Sequence, residues 1–212
     1  MLKLDHLTVI APTLAEGVAH VRDCLDLDVP FGTRHEYMGT HNHRLQLGDR
    51  VYLEIIAVDP DGRQPHRSRW FGLDDNENVR KNWDEGRRLR GWVASTKDIG
   101  AVLSQYGRLF GDEVALPFIE PEFAFSIPQD GALPHEGALP SLIDHRDDPT
   151  SMAEIPDMGA RLLSFSVRHP DPGNLEMLYE MLNIVSSPTV QIGKHVKYRA
   201  EIETPDGMKI LF

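Results

Sequence analysis

The chain predicts an α+β fold built from repeated strand-helix-strand-strand-strand units. Three observations carry this. A β-branched opening run is followed by a capped amphipathic helix, the same strand-helix grammar returns twice, and strands without helical partners follow each helix.

The first strand spans about residues 2–11. Pro12-Thr13 then starts a helix, with Thr13 as N-cap and Glu16 three residues on completing a capping box. Leu14, Val18, Val21 and Leu25 give this helix one apolar face for a sheet, while Gly17 and the alanines face elsewhere. Strands follow at about 34–37, 42–47 and 51–58, the last two joined by Gly48-Asp49-Arg50. The second opening runs from Gly91-Trp92-Val93-Ala94 to an N-cap at Thr96 and a helix closed by Gly107. Strands at 123–127 and 139–145 come next. The third opening runs from 162–167 to Asp171-Pro172, N-cap and first helical residue, and ends in strands near Val190, 196–202 and 208–212. Residues 1–58 therefore read as a first module, 59–90 as a polar connector, and 91–212 as a second, extended module. The connector holds one exposed helix within 74–88. Its Trp70 and Phe71 are read as packing it against the body, outside the active site.

The chain has 212 residues, enough for one domain or two small fused modules. With 22 Lys+Arg against 33 Asp+Glu, its net charge of -11 repels phosphate backbones, so a small molecule rather than nucleic acid is the expected partner. Cys24, the single cysteine, reads as a half-buried helix thiol with no internal disulfide. Neither a secretory leader nor an 18-residue apolar run is visible, so the expectation is a cytoplasmic protein without a membrane partner. Nucleophile-elbow, dinucleotide and phosphate-loop glycine motifs are missing, which lowers hydrolase and nucleotide readings.

Two residues stand out chemically. His6 in Leu4-Asp5-His6-Leu7-Thr8-Val9-Ile10 and Glu54 in Val51-Tyr52-Leu53-Glu54-Ile55-Ile56-Ala57 are lone ionisable groups in apolar strands. A buried, unpaired carboxylate costs several kcal/mol, so Glu54 requires a cation, hydrogen bonds or a wet cavity. A three-residue hairpin loop at 48–50 sorts the strands cleanly: Leu45, Leu47, Val51, Leu53 and Ile55 share one face, and Asn42, Arg44, Gln46, Tyr52 and Glu54 the other. A two-residue turn would set His43 opposite Glu54 and mix the faces. In the first register Glu54 floors a polar concavity with Tyr52, Arg44 and Asn42, and His6 joins it with Leu4 and Thr8. The plainer alternative is a core histidine bonded to a carbonyl and a cross-strand Glu54–Arg44 pair. His20, His66 and His195 read as surface residues.

The paired strand-helix-strand-strand-strand plan, Asp5-His6-Leu7, Gly39-Thr40-His41-Asn42 and Tyr52-Leu53-Glu54-Ile55-Ile56-Ala57 together resemble the glyoxalase-like branch of the vicinal oxygen chelate superfamily. Phe125-Ser126-Ile127-Pro128, Leu139-Pro140-Ser141-Leu142-Ile143 and Glu203-Thr204-Pro205-Asp206-Gly207 extend the likeness. The resemblance implies a mixed sheet curled around a cavity, helices outside, with His6 and Glu54 holding a divalent metal (Zn, Fe, Mn or Ni) that chelates a small oxygenated substrate. The same likeness implies a third-strand histidine, His41 or His43, as a further ligand, and Glu54 or an activated water is the base. His41 is preferred because Gly39-Thr40 gives it a flexible strand entrance from which to swing inward, whereas His43 points with Leu45 toward the packed side. Asn42, Arg44, Tyr52 and Trp92 are the expected substrate contacts. Lyase, isomerase and dioxygenase chemistry are the enzyme readings, and a metal-free drug-sequestering protein is the alternative. The strands at 91–94 and 163–166 offer no second pair of ligands, leaving His135, His145 or His169 as other sources. A homodimer is expected from the free edge of the last strand.

Overall fold

In the computed structural model, residues 1–48, 50–146 and 154–212 are described. The first module is β1 (Leu2–Ile10), α1 (Leu14–Leu25), β2 (Phe31–His35), β3 (Thr40–Gln46) and β4 (Tyr52–Val58). A connector carrying α2 (Asn76–Asp84) leads to β5 (Leu89–Ser95), α3 (Ile99–Phe110), β6 (Asp112–Leu116), β7 (Phe123–Ile127) and β8 (Ser141–Asp144). The third unit is β9 (Arg161–His169), α4 (Pro172–Met181), β10 (Ile184–Val185), β11 (Thr189–Ile192), β12 (Lys197–Thr204) and β13 (Gly207–Leu211). Among the described residues no helix is long and apolar enough to cross a membrane.

The strands of the first two modules form one strongly curled mixed sheet in the order β2-β3-β4-β1-β5-β8-β7-β6, with β10 added beside the start of β1. β1 runs parallel to β4 and β5 parallel to β8, while β1 and β5 pair antiparallel. Each half therefore has the same order outward from the centre. The third strand-helix opening instead founds a separate four-stranded sheet, β11-β9-β12-β13.

The β3–β4 register is Arg44 opposite Glu54, Leu45 opposite Leu53 and Gln46 opposite Tyr52, and Leu47 N–H closes on the Val51 carbonyl. This is the three-residue loop expected from the sequence, although Asp49 itself lies outside the described residues. Leu45, Leu53 and Ile55 are fully buried on the helix side. At about 1.5–3 kcal/mol for each buried side chain, a one-residue slip that exchanged them for Glu54 and Tyr52 is strongly disfavoured.

Thr13 caps α1 by accepting from the Glu16 N–H, and Asp171 with Pro172 starts α4 as expected. Other boundaries shift. The N-cap of α3 is Asp98, which accepts from Ala101 N–H, and the helix runs past Gly107 to a C-cap at Gly111. Thr96 bonds the Asp98 N–H instead. The expected exposed connector helix is α2, yet Val79, Asn82 and Trp83 are buried on it. His20 is not a surface residue either: it is buried, bonded to the Phe212 carbonyl and edged against Trp83.

Gly17 also corrects an expectation, because it faces the sheet. A Cβ built there would lie 2.5 Å from Ile55 Cγ2 and 2.9 Å from Ala11 Cβ, so glycine sets how closely α1 approaches β4. Gly17→Val accordingly lowers stability by about 1–3 kcal/mol through overpacking, measured by chemical denaturation. An unchanged denaturation midpoint contradicts this packing.

Candidate functional site

Strand alternation brings His6 and Thr8 of β1, Asn42 and Arg44 of β3, and Tyr52 and Glu54 of β4 onto the concave face. His6 stands beside Tyr52, and Thr8 beside Glu54, in the β1–β4 register. The Tyr52 ring stacks on the His6 imidazole at 4.3 Å between centroids. Glu54 is buried and held from two sides: Asn42 Nδ2 donates to Oε1 at 2.7 Å, and Oε2 lies 3.6 Å from His6 Nε2. Asn42 is in turn oriented by the Thr33 N–H, which donates to its Oδ1 at 2.8 Å. Gly32 makes this possible, since a Cβ there would collide with Asn42 Oδ1 and crowd Arg44 Nε.

The other face of the imidazole is occupied as well. His6 Nδ1 donates to Asp5 Oδ1 at 2.8 Å, and His145 Nε2, at the end of β8, donates to Asp5 Oδ2 at 2.8 Å. Asp5 reaches the ring of its own chain neighbour because the β1–β5 pairing shifts register between Leu4 and His6, breaking the alternation there. The result is a buried chain of groups, Glu54–His6–Asp5–His145.

Burial alone would discharge His6, but hydrogen bonds and attraction from Asp5 and Glu54 outweigh it and hold the imidazolium up at about 9. Burial pushes the Asp5 carboxyl up, yet its bonds from His145 and His6 bring it down to about 2. Glu54 is likewise held below the usual carboxylate range despite its burial, by His6, His35 and Asn42. His35, from β2, is different: burial drives it down to about 4, so it is a neutral ring hydrogen-bonded to Thr40 Oγ1.

Of the expected site residues, His6, Asn42, Arg44, Tyr52 and Glu54 come together and two do not. His41 projects from the opposite face of β3, because it is one residue out of step with Asn42, and its Nδ1 lies 3.8 Å from Asp59. His43 shares that face and donates to the Val29 carbonyl. Trp92 is fully buried on the far side of β5, edged against Phe165 and Tyr179, where it joins the two sheets. The cross-strand Glu54–Arg44 pair is replaced by Glu54 with His6 and Asn42. Asp5, Thr8, His35, Trp70 and His145 are additional members. Strict alternation places Asp5 on the wrong face, whereas the Arg34–His41 and His35–Thr40 pairings that align β2 with β3 make His35 recoverable.

Trp70 enters from the connector. Its buried ring is edged against His35 at 5.1 Å and Phe125 at 5.4 Å, and Phe71 packs on Phe125 beside it. The connector thus roofs the concave face as well as packing on the body.

A metal would find two donors, His6 Nε2 and Glu54 Oε2. Among the described residues no group of three His, Cys, Asp or Glu side chains is placed to hold one. The neighbouring strands β5 and β8 offer Gly91, Val93, Ser141 and Ile143. Two protein donors fall short of the three or four that resident zinc or iron sites use, so the donor set of the described residues does not fit a resident divalent ion.

A model of the glyoxalase-like domain matches residues 4–182. The chain belongs to the glyoxalase-like domain family. The match ends at the close of α4, so the third strand-helix opening is part of this family's plan rather than an addition to it. Among solved structures, a hypothetical protein from Staphylococcus aureus aligns over 93% of this chain and 88% of its own, with a TM-score of 0.56 and 13% identity. A methylmalonyl-CoA epimerase variant from Streptomyces coelicolor, in complex with 2-nitronate-propionyl-CoA, aligns over 69% of this chain and 97% of its own, with a TM-score of 0.39 and 16% identity. A search of the curated proteins gives no match.

The glyoxalase-like sheet carries two opposed titrations. His6 binds its proton more tightly folded than unfolded, so its contribution is full below about pH 6.5 and is lost as pH rises toward 9. His35 is held neutral, so its contribution is present above about pH 6.5 and is lost as pH falls toward 4. Asp5 and Glu54 add further loss at more acidic pH. Thermal unfolding followed against pH therefore shows greatest stability near pH 6.5. His6→Asn flattens the alkaline limb and His35→Asn the acid limb. A melting temperature that rises steadily from pH 6.5 to 9 contradicts the assignment.

Proposed function

We propose that this glyoxalase-like protein binds a small carbonyl-bearing organic molecule on the concave face and moves a proton on it through the Glu54–His6 pair, an isomerase- or lyase-type reaction. The observation that carries this reading is the company kept by that pair. Three buried polar atoms beside it have no hydrogen-bond partner: Thr8 Oγ1, Arg44 Nε and Trp70 Nε1. Buried polar groups are paired in the great majority of cases, and an unpaired one costs about 1–3 kcal/mol. Three in one place are satisfied together by a ligand oxygen.

The roles follow from charge. Glu54 is a carboxylate able to accept a proton from a carbon next to a carbonyl, and the His6 imidazolium beside it is able to return one. Arg44 Nε–H and Trp70 Nε1–H are donors for the oxygen on which negative charge develops. Asp5 and His145 keep the imidazolium charged and oriented without touching the reacting atoms. Trp70 and the connector exclude water, which strengthens each of these interactions.

The test is exchange of α-carbon hydrogen for deuterium in small 2-oxo acids and 1,2-diones, followed by proton NMR in deuterium oxide with a metal chelator present. Exchange above the uncatalysed rate is expected for at least one compound, with Glu54→Gln lowering it about 100-fold or more. Exchange that survives Glu54→Gln, or that appears only on adding a divalent metal, contradicts the proposal.

A further inference from the structure

Between the curled sheet and the four-stranded sheet lies a cleft of about 1570 Å³, roomier than the roughly 300–1,000 Å³ of an ordinary small-ligand pocket. The start of β1, the β3–β4 hairpin, the start of α3, the end of β8 and the face of β9 all contribute to its walls. None of His6, Asn42, Arg44, Tyr52 and Glu54 lines it, whereas Asp5 and His145 belong both to its wall and to the buried chain.

The cleft is electrically out of character with the rest of the molecule. In a chain of net charge -11, Lys3, Arg50, Lys97 and Arg146 all line it, and none of the four forms an ion pair with a described residue. The acids on the same walls are already engaged: Asp5 accepts from both His6 and His145, and Asp98 caps α3. Cations left unpaired beside engaged carboxylates make a positive field inside an acidic protein.

The walls are also apolar where a soluble surface would not be. Leu163 of β9 is 55% exposed and Val185 of β10 is 37% exposed, and Leu4 and Phe165 line the cleft near them. An exposed apolar patch rimmed by charge of one sign marks a binding surface.

We infer that this cleft binds an organic anion with an apolar body, its head held by Lys3, Arg50, Lys97 and Arg146 and its hydrocarbon laid against Leu163 and Phe165. A carboxylate or a phosphate head satisfies the same four cations. A ten-carbon chain is a fitting probe for a cleft of this size.

The experiment is calorimetric titration of the full chain with decanoate, decyl phosphate, decanol and decyltrimethylammonium, at low and high salt. Saturable binding of one or both anions is expected, and whichever binds more tightly identifies the head. Decanol binds about tenfold more weakly or worse, and the ammonium does not bind. The exposed double reversal Lys97→Glu/Arg146→Glu weakens the anions about tenfold and removes the salt dependence. Leu163→Asp abolishes binding, and Glu54→Gln leaves it unchanged, which separates this cleft from the concave-face site. Equal affinity for decanol and the anions overturns the inference, as does indifference to charge reversal or loss of binding with Glu54→Gln. If no probe binds and Leu163→Asp splits a dimer in sedimentation, the cleft is an interface between copies and the inference fails. Melting curves of each variant confirm folding, and should Leu163→Asp not fold, the charge reversal decides alone.

Discussion

The ion pair between His6 and Glu54, completed by Asp5, is the constraint around which the sheet is arranged. Each of these groups is nearly inaccessible to water. Removing one partner from such a cluster leaves a buried charge with nothing to balance it, typically costing about 3–5 kcal/mol. The three must therefore meet, and their meeting requires β4 beside β1 in one register only. The same contact that stabilises the charges also aligns β4 with β1, the strand that joins the two halves of the sheet.

Two structural devices keep water from this cluster. The connector folds Trp70 and Phe71 over the concave face, and the second sheet backs the opposite face through Trp92, Phe165 and Tyr198, the last of which donates to the Gly137 carbonyl at 2.6 Å. With both faces covered, attractions between the buried charges are felt at short range and low dielectric. Among the described residues eight buried side-chain polar atoms lack a hydrogen-bond partner, and three of them, on Thr8, Arg44 and Trp70, belong to the concave face. The proposed function rests on those atoms and not on the fold, which supports many chemistries.

Much of this was legible in the sequence, for identifiable reasons. Apolar alternation around residues 48–50 resolves the hairpin register, because only one pairing separates Leu45, Leu53 and Ile55 from Asn42, Arg44 and Glu54. Thr13 and Asp171 announce their helices through side chains that can only cap. His41 fails because proximity to Glu54 along a strand is not enough; alternation sends it to the other face, and a flexible Gly39 does not override that. Asp5 is the opposite failure, a residue that alternation excludes and an irregular pairing restores. Trp92 could not be assigned without knowing that a second sheet covers β5. The α3 start at Asp98 reflects a tertiary contact, since Asp144 Oδ2 accepts from the Ile99 N–H across the fold.

The most direct test is the protonation state of one ring. Nitrogen NMR of histidine-labelled protein at neutral pH reads the two ring nitrogens of His6, assigned with a His6→Asn variant. Both nitrogens are expected to be protonated, with Hδ1 shifted far downfield by its bond to Asp5 and persisting well above the ordinary imidazole range. A neutral His6 with a bare Nε2 at that pH would contradict the buried ion pair and return the site to a metal-binding reading.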